Sequence, residues 1–289
     1  MQLCKLLNSV GLHSVGRVVD DQIEILDLAS GPYNSLSMLL AADDVADTVA
    51  GLPGTGERIP VSQAQLLPPI DAQEVWAAGV TYKRSQTARM EESEAAASCY
   101  DRVYQSARPE IFFKATPHRV RGTGQALRIR ADAKWNVPEP ELTLVLSPRL
   151  KIVGYTIGND MSSRDIEGDN PLYLPQAKMY DECCGLGPWI TLADDMPPRA
   201  QIEIALKITR AGQVVFEQST SAGEMARTFE DLVQWLGRDN SFPAGAFLLT
   251  GTGIVPTSDF TLAGDDVVDI SITNIGTLSN RIVQSTPVA

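Results

Sequence analysis

The stretch that decides the fold is residues 135–146, WNVPEPELTLVL. Alternate side chains of a β-strand project to opposite faces, so Glu139 and Glu141 share one face with Thr143, while the leucines occupy the other. Neither face has the composition of a freely solvated surface. Two carboxylates held side by side at a partly buried position are costly unless a cation or a proton relieves them. The stretch therefore predicts a strand that carries a paired-carboxylate face.

A third carboxylate follows the next predicted strand. Residues 152–157 form a second apolar strand, and Asp160 comes just after it. A hairpin that returns beside the first strand would bring Asp160 next to Glu139 and Glu141. Three carboxylates are hard oxygen ligands that suit Mg²⁺, with Mn²⁺ or Ca²⁺ as alternatives, and do not favour zinc. Taken alone, a Glu-x-Glu pair is more often an exposed strand face, and both interpretations stay open at this point.

The rest of the chain is predicted to be β-rich. Alternating residues in 16–25 predict a hairpin, and Ala211-Gly212 joins two further strands into a second one. Residues 268–272 alternate as another strand, and an apolar stripe predicts a helix over 223–236 that Gly237 ends. The order of elements is that of an α+β fold and not of an alternating α/β fold.

The chain is predicted to have two domains. Residues 1–70 are interpreted as a small N-terminal α+β module and linker, with a helix over 35–52 that Asn34 or Ser35 caps. Within this part, residues 53–72 are rich in proline and glycine and are interpreted as a linker or extended arm. Residues 71–289 are interpreted as the second domain, which carries Glu139, Glu141 and Asp160.

The charge balance excludes some partners. The chain has 24 Lys and Arg against 36 Asp and Glu, a formal net charge of −12. An acidic surface repels phosphate, so neither nucleic acid nor a membrane is expected as a partner. The four cysteines show no metal-binding or disulfide-scaffold spacing, and we expect a cytoplasmic protein. An anionic substrate would need a cation or a local basic cluster to receive it.

Three further segments carry polar groups that suit a site. Residues 109–114 (PEIFFK) place charges at both ends of an apolar strand, and residues 170–178 (NPLYLPQAK) present a lysine on a proline-rich loop. Residues 250–256 (TGTGIVP) offer hydroxyl and backbone N–H donors. Each segment by itself is better explained by surface lysines or an ordinary turn, so the functional interpretation depends on their occurrence together.

Together these segments resemble the fumarylacetoacetate hydrolase superfamily, whose metal motif is Glu-x-Glu followed later by Asp. The resemblance covers residues 72–287, and within the superfamily it is strongest to the 2-keto-3-deoxy-D-arabinonate dehydratases. The matching segments, in chain order, are 79–82 (GVTY), 108–116 (RPEIFFKAT), 138–142 (PEPEL), 170–176 (NPLYLPQ) and 250–252 (TGT). The resemblance implies a small N-terminal module followed by a mixed β-sandwich roll.

The resemblance also implies an activity and a set of roles. The reaction would be the Mg²⁺-dependent dehydration of a 2-keto-3-deoxy-pentonate to 2,5-dioxopentanoate in pentose breakdown, with the metal on Glu139, Glu141 and Asp160. Lys178 would be the base at C3, with a pKa lowered by the nearby cation, and Glu110 would be the acid for the departing C4 hydroxyl. The candidates for substrate binding are Arg84, Ser85, Lys114, Thr252, Gln176 and Tyr173. A lid over 83–105 and a homodimer or homotetramer are also implied.

One departure from the superfamily pattern bears on the reaction. Its hydrolases often carry a histidine just after a Gly-x-Asn-Tyr segment, whereas residues 79–86 read GVTYKRSQ. The chain has only His13 and His118, both expected to be structural or exposed. Elimination of water needs no activated water, so the departure favours a lyase. A hydrolase of 2,4-diketo acids that releases pyruvate is the alternative, and a non-catalytic, metal-stabilised binding protein is the alternative from another class.

Overall fold

A computed structural model describes residues 1–83 and 102–284. The described strands are β1 (Gln2–Leu7), β2 (His13–Val19), β3 (Gln22–Leu26), β4 (Gly54–Pro60), β5 (Gln65–Leu67), β6 (Glu74–Gly79), β7 (Glu110–Ala115), β8 (Val120–Arg121), β9 (Leu127–Ile129), β10 (Asn136–Val137), β11 (Pro140–Leu146), β12 (Ile152–Asp160), β13 (Ser162–Ser163), β14 (Cys184–Leu192), β15 (Glu203–Arg210), β16 (Gln213–Ser221), β17 (Ala246–Leu249), β18 (Val267–Ile272) and β19 (Gly276–Gln284). The described α-helices are α1 (Leu36–Leu40), α2 (Val45–Gly51), α3 (Arg164–Asp169), α4 (Leu174–Lys178) and α5 (Phe229–Leu236).

Two large sheets form the body of the molecule. The larger has twelve strands in the order β4-β3-β2-β1-β14-β12-β11-β17-β6-β7, with β5 paired to β1 and β8 paired to β14. The other has five strands in the order β16-β15-β18-β19-β9. Most pairings are antiparallel, but β17–β6, β14–β8 and β19–β9 are parallel. The predicted β-rich fold with mixed sheets is confirmed.

The central strand β11 is buried on both faces, because the large sheet has a hydrophobic core on each side. Leu142 and Leu144 belong to the core that also contains Leu206 of β15 and Ile270 of β18, both in the five-stranded sheet. Val145 belongs to the other core, which includes the side chains of α1. Every residue of β11 is buried. The charged side chains at the start of this strand are therefore held inside the protein.

Several predicted elements are confirmed. The hairpin within residues 16–25 is the antiparallel pair β2–β3, and the second predicted hairpin is β15–β16. In that second turn, Ala211 and Gly212 both have positive φ, at 48° and 78°, as a tight two-residue hairpin turn requires. The alternating residues 268–272 lie in β18.

Two predicted helices have wrong boundaries, and the stretch predicted as a linker or extended arm contains two strands. The helix predicted over 35–52 is two helices, because Asp44 accepts a hydrogen bond from the backbone N–H of Asp47 and starts a new helix. Ser35 caps the first one, as predicted. The stretch 53–72 is not a bare linker, since β4 pairs with β3 and β5 pairs with β1. The helix predicted from residue 223 begins at Phe229, where Thr228 supplies the N-cap.

The sheet crosses the predicted domain boundary at residue 70. Strand β1 pairs with β14, which joins the N-terminal strands to the sheet that carries β11 and β12. The division into domains 1–70 and 71–289 therefore stays a prediction about folding units. Among the described residues, no helix is long and apolar enough to cross a membrane.

Candidate active site

The hairpin of β11 and β12 brings the predicted carboxylates together. The two strands pair antiparallel, with Pro140 opposite Asn159, and the N–H of Asp160 donates to the carbonyl of Glu139 at 3.0 Å. Proline is tolerated at Pro140 because this is the first residue of the strand. One ligand oxygen each from Glu139, Glu141 and Asp160 lies within 4.8 Å of the others, and all three residues are buried. We call these three residues the carboxylate trio.

A small pocket opens onto the trio. Among the described residues, its walls are the trio, two basic side chains, residues at the end of β6 and just after it, one residue of β7 and the loop after β17. The lining residues are Ala78, Gly79, Val80, Phe112, Glu139, Glu141, Asp160, Arg164, Lys178, Gly251 and Thr252. The space left between these side chains is about 10 Å³, which is room for a single water-sized particle.

Glu139 is held by two cations, one on each oxygen. Arg164 Nη2 donates to Oε1 at 2.6 Å, and Lys178 Nζ donates to Oε2 at 2.6 Å. Arg164 is only 1% exposed. Charge-assisted hydrogen bonds of this length are stronger than hydrogen bonds between neutral groups. Two of them, shielded from solvent, fix the orientation of the Glu139 carboxylate.

Asp160 also receives a cation on each oxygen. Lys178 Nζ lies 3.2 Å from Oδ2, and Lys114 Nζ lies 2.5 Å from Oδ1. Lys178 Nζ also contacts Ser162 Oγ at 2.6 Å. Burial by itself lowers the pKa of Lys114, but the facing carboxylate of Asp160 outweighs it, so the pKa of the ammonium lies above its usual value.

Glu141 differs from the other two carboxylates. Its Oε2 accepts a hydrogen bond from the backbone N–H of Gly251 at 2.6 Å, and among the described residues no cation forms an ion pair with it. Burial first, and then the charges of Asp160 and Glu139, raise the pKa of Glu141 well above its usual value. A buried carboxylate without an ion-pair partner is the feature that a bound cation would explain.

Gly251 is a position that only glycine suits. Its φ of +91° lies in the left-handed region, and a Cβ there would come within 2.0 Å of Thr81 Oγ1. Thr81 in turn donates to the carbonyl of Thr250 at 2.6 Å. These contacts join the loop after β6 to the loop after β17 and aim the N–H of Gly251 at Glu141.

The residues present fit a hard divalent cation. Three carboxylates supply oxygen donors within reach of one centre, and a cation there would favour the ionised form of Glu141 that burial opposes. Carboxylate oxygens are the donors that Mg²⁺, Mn²⁺ and Ca²⁺ prefer. The predicted metal site on Glu139, Glu141 and Asp160 therefore has both the chemistry and the geometry of such a centre.

The comparisons with known proteins decide the family. The fumarylacetoacetate (FAA) hydrolase C-terminal family matches residues 74–283. This chain belongs to that family. The chain is 50% identical over 214 residues to a probable 2-keto-3-deoxyxylonate dehydratase of Haloferax volcanii, with 74% of this chain and 73% of the relative covered. It is 42% identical over 264 residues to the 2-dehydro-3-deoxy-D-arabinonate dehydratase of Saccharolobus solfataricus, with 89% of each covered.

A solved structure of the FAA hydrolase family shows the same fold. It is a 2-keto-3-deoxy-D-arabinonate dehydratase complexed with magnesium and 2,5-dioxopentanoate, with a TM-score of 0.84 and 36% identity over 99% of this chain and 100% of its own. The predicted resemblance to these dehydratases is confirmed.

Of the other predicted site residues, Thr252 and Glu110 lie at or beside the pocket. Thr252 lines it, and its Oγ1 exchanges hydrogen bonds with the backbone of Ile254. Glu110 begins β7 opposite Gly79, and a carboxylate oxygen of Glu110 lies 1.9 Å from where a Cβ of Gly79 would be. The absence of that Cβ lets Glu110 approach the pocket wall.

Two further predicted site residues do not line the pocket, and two are not described by the structure. Tyr173, 41% exposed, and Gln176, also exposed, do not line the pocket that the described residues form. Arg84 and Ser85 lie outside the described residues, as does most of the lid predicted over 83–105.

Sequence reasoning missed Arg164, although a signal for it was present. Asp160, Ser162 and Arg164 alternate along an extended segment, and this periodicity puts all three on one face. Both histidines are exposed, as expected, and neither lines the pocket that the described residues form.

Proposed function

We propose that this member of the FAA hydrolase family is a Mg²⁺-dependent hydro-lyase that converts a 2-keto-3-deoxy-pentonate into 2,5-dioxopentanoate in pentose breakdown. The observation that carries the proposal is the buried carboxylate trio with the ammonium of Lys178 placed on two of its members. The two dehydratase relatives and the dehydratase structure with magnesium and 2,5-dioxopentanoate support the substrate class.

A Mg²⁺ ion on the trio would supply the positive charge that polarises the keto group of the substrate and makes the neighbouring C3–H more acidic. The protein's part is to hold three oxygen donors in place. Arg164 fixes Glu139, the N–H of Gly251 fixes Glu141, and Lys114 contacts Asp160. Fixed donors need no reorganisation when negative charge develops on the keto oxygen.

Lys178 is the proposed base at C3. It lines the pocket, and its Nζ lies 2.6 Å from Glu139 Oε2 and 2.6 Å from Ser162 Oγ. A base must lie within hydrogen-bond reach of the proton that it takes, and a substrate whose keto group is directed at the trio would place C3 near this nitrogen. In its neutral form, Nζ would accept the C3 proton.

Glu110 is the proposed acid at C4. Glu110 is the first residue of β7, and its carboxyl group packs against Gly79, which lines the pocket. Protonation of the C4 hydroxyl by Glu110 lets that group leave as water, so the hydrogen from C3 and the hydroxyl from C4 account for the one water released. The product of this elimination is an unsaturated keto acid with a double bond between C3 and C4. Loss of a proton from C5 would turn it into a dienol, and protonation of that dienol at C3 and C4 would give the ketone at C2 and the aldehyde at C5.

Thr252 is the described residue that we propose as a direct substrate contact. It lies at the pocket wall beside Gly251, whose backbone N–H donates to Glu141. Arg84, Ser85, Tyr173 and Gln176 stay proposed contacts that come from the family resemblance. The proposed cytoplasmic location is supported by the free, buried state of Cys4, Cys183 and Cys184, and a homodimer or homotetramer is proposed from the family alone.

A product assay tests the function. The protein is incubated with Mg²⁺ and either 2-keto-3-deoxy-D-arabinonate or a 2,4-diketo acid, and the products are read by mass and by an aldehyde reagent. We expect the pentonate to lose one water and gain an aldehyde, without pyruvate, because no histidine lines the described pocket to activate water for hydrolysis. Pyruvate from the diketo acid, with an unchanged pentonate, would establish the hydrolase instead.

A further inference from the structure

Lys114 is a buried ammonium that two backbone carbonyls and one carboxylate hold in place. Its side chain is 0% exposed, and it lies on β7 beneath the site. Its Nζ donates to the carbonyl of Met161 at 2.9 Å and to the carbonyl of Lys178 at 2.5 Å, and it forms an ion pair with Asp160 Oδ1. An ammonium has three N–H donors, and two of them are used by these carbonyls. The ammonium thus contacts protein groups, and Lys114 does not line the pocket that the described residues form.

The two lysines at Asp160 occupy different places. Lys178 contacts Oδ2 and lines the pocket, whereas Lys114 contacts Oδ1 and does not line it. Because both oxygens of Asp160 are engaged, the carboxylate cannot rotate without breaking an ion pair. The carbonyl that Lys114 binds belongs to Lys178 itself, at the last residue of α4. One ammonium therefore connects a predicted metal ligand to the backbone that carries the proposed base.

We propose that Lys114 is a positioning residue that orients Asp160 as a metal ligand and fixes the end of α4 so that Lys178 reaches the substrate. This role replaces the expected direct contact between Lys114 and the substrate. The part concerning Lys178 rests on the proposed function, whereas the part concerning Asp160 does not.

Kinetics separate the two roles. Lys114→Gln keeps two N–H donors without the charge, Lys114→Met removes both, and Lys207→Gln is the control, since Lys207 is a half-exposed lysine on β15. At saturating Mg²⁺, we expect kcat of both Lys114 variants to fall by about tenfold or more, while KM for the keto acid stays within about threefold. A KM raised by about tenfold or more with kcat unchanged, or no change in either, would overturn the proposal.

A second readout needs no turnover. Mn²⁺ is bound to the substrate-free protein, and its electron paramagnetic resonance spectrum reports on the ligand geometry. We expect the spectrum of Lys114→Gln to differ from that of the wild type and of Lys207→Gln, because Asp160 loses its fixed orientation. An unchanged spectrum contradicts the role at Asp160. If the wild type fails to dehydrate keto acids but the spectra still differ, the proposed function is wrong and the role at Asp160 stands.

A third measurement covers the case in which neither Lys114 variant folds. The crystal structure of the wild-type protein with Mg²⁺ and pyruvate shows directly which groups Lys114 Nζ contacts. We expect the bonds to Asp160 and to the carbonyl of Lys178 to persist. A bond from Lys114 Nζ to pyruvate would overturn the proposal.

Discussion

Lys178→Ala is expected to lower kcat for the keto acid by roughly 10²–10⁴-fold, which is the usual contribution of a positioned general base. The substitution removes the only lysine nitrogen that lines the described pocket. The trio itself stays intact, and the lost ammonium had occupied oxygens of Glu139 and Asp160. Mg²⁺ should therefore bind the variant at least as well as it binds the wild type.

The measurement pairs steady-state kinetics with calorimetric Mg²⁺ binding on the same preparations. Lys207→Ala is the matched control, because the same substitution at a half-exposed lysine should change neither quantity. Full activity of Lys178→Ala would remove lysine from the mechanism. If Lys178→Ala lost Mg²⁺ binding as well as activity, Lys178 would have a structural role in holding the metal ligands in place.

Glu141→Gln is expected to abolish Mg²⁺-dependent turnover while leaving the metal-free protein as stable as the wild type or more so. The amide keeps the shape of the side chain and an oxygen for the N–H of Gly251. It replaces a buried carboxyl group, 1% exposed, whose ionised form has no ion-pair partner among the described residues. Mutation of a group that only supports a metal ligand lowers metal affinity or activity by about 10–100-fold. Loss of a ligand itself should lower them by at least that much.

Thermal melting with and without Mg²⁺ checks this result. The wild type should gain Tm when Mg²⁺ is added, since a ligand that binds only the folded state stabilises it, and Glu141→Gln should gain little. Glu217→Gln on the exposed strand β16 is the control and should behave as the wild type. A normal Mg²⁺ response in Glu141→Gln would exclude Glu141 as a ligand.

The centre of the fold was predictable because strand periodicity acts locally. The alternation from Glu139 to Leu146 assigns each side chain to a face, and the hairpin with β12 then places Asp160 beside Glu139. Helix boundaries were less predictable, since Asp44 and Thr228 each start a helix inside a stretch whose apolar pattern continued across them.

The roles of the two lysines could not be read from the sequence. Lys114 and Lys178 each follow an apolar or proline-rich segment, and both were assigned to the substrate or the chemistry. Only the packing of β7 beneath α4 shows that one ammonium faces the pocket and the other faces the backbone. Contacts of this kind depend on residues far apart in the chain, which local patterns do not record.

The central claim is that Glu139, Glu141 and Asp160 hold one divalent cation on which the keto-acid chemistry depends. The most direct test is a Mg²⁺ titration of the metal-free protein, with bound metal and dehydration of 2-keto-3-deoxy-D-arabinonate measured in parallel. We predict no turnover without metal, and turnover that rises and saturates as one ion binds per chain. Full activity after treatment with a chelator, or turnover that is independent of the bound ion, would contradict the account.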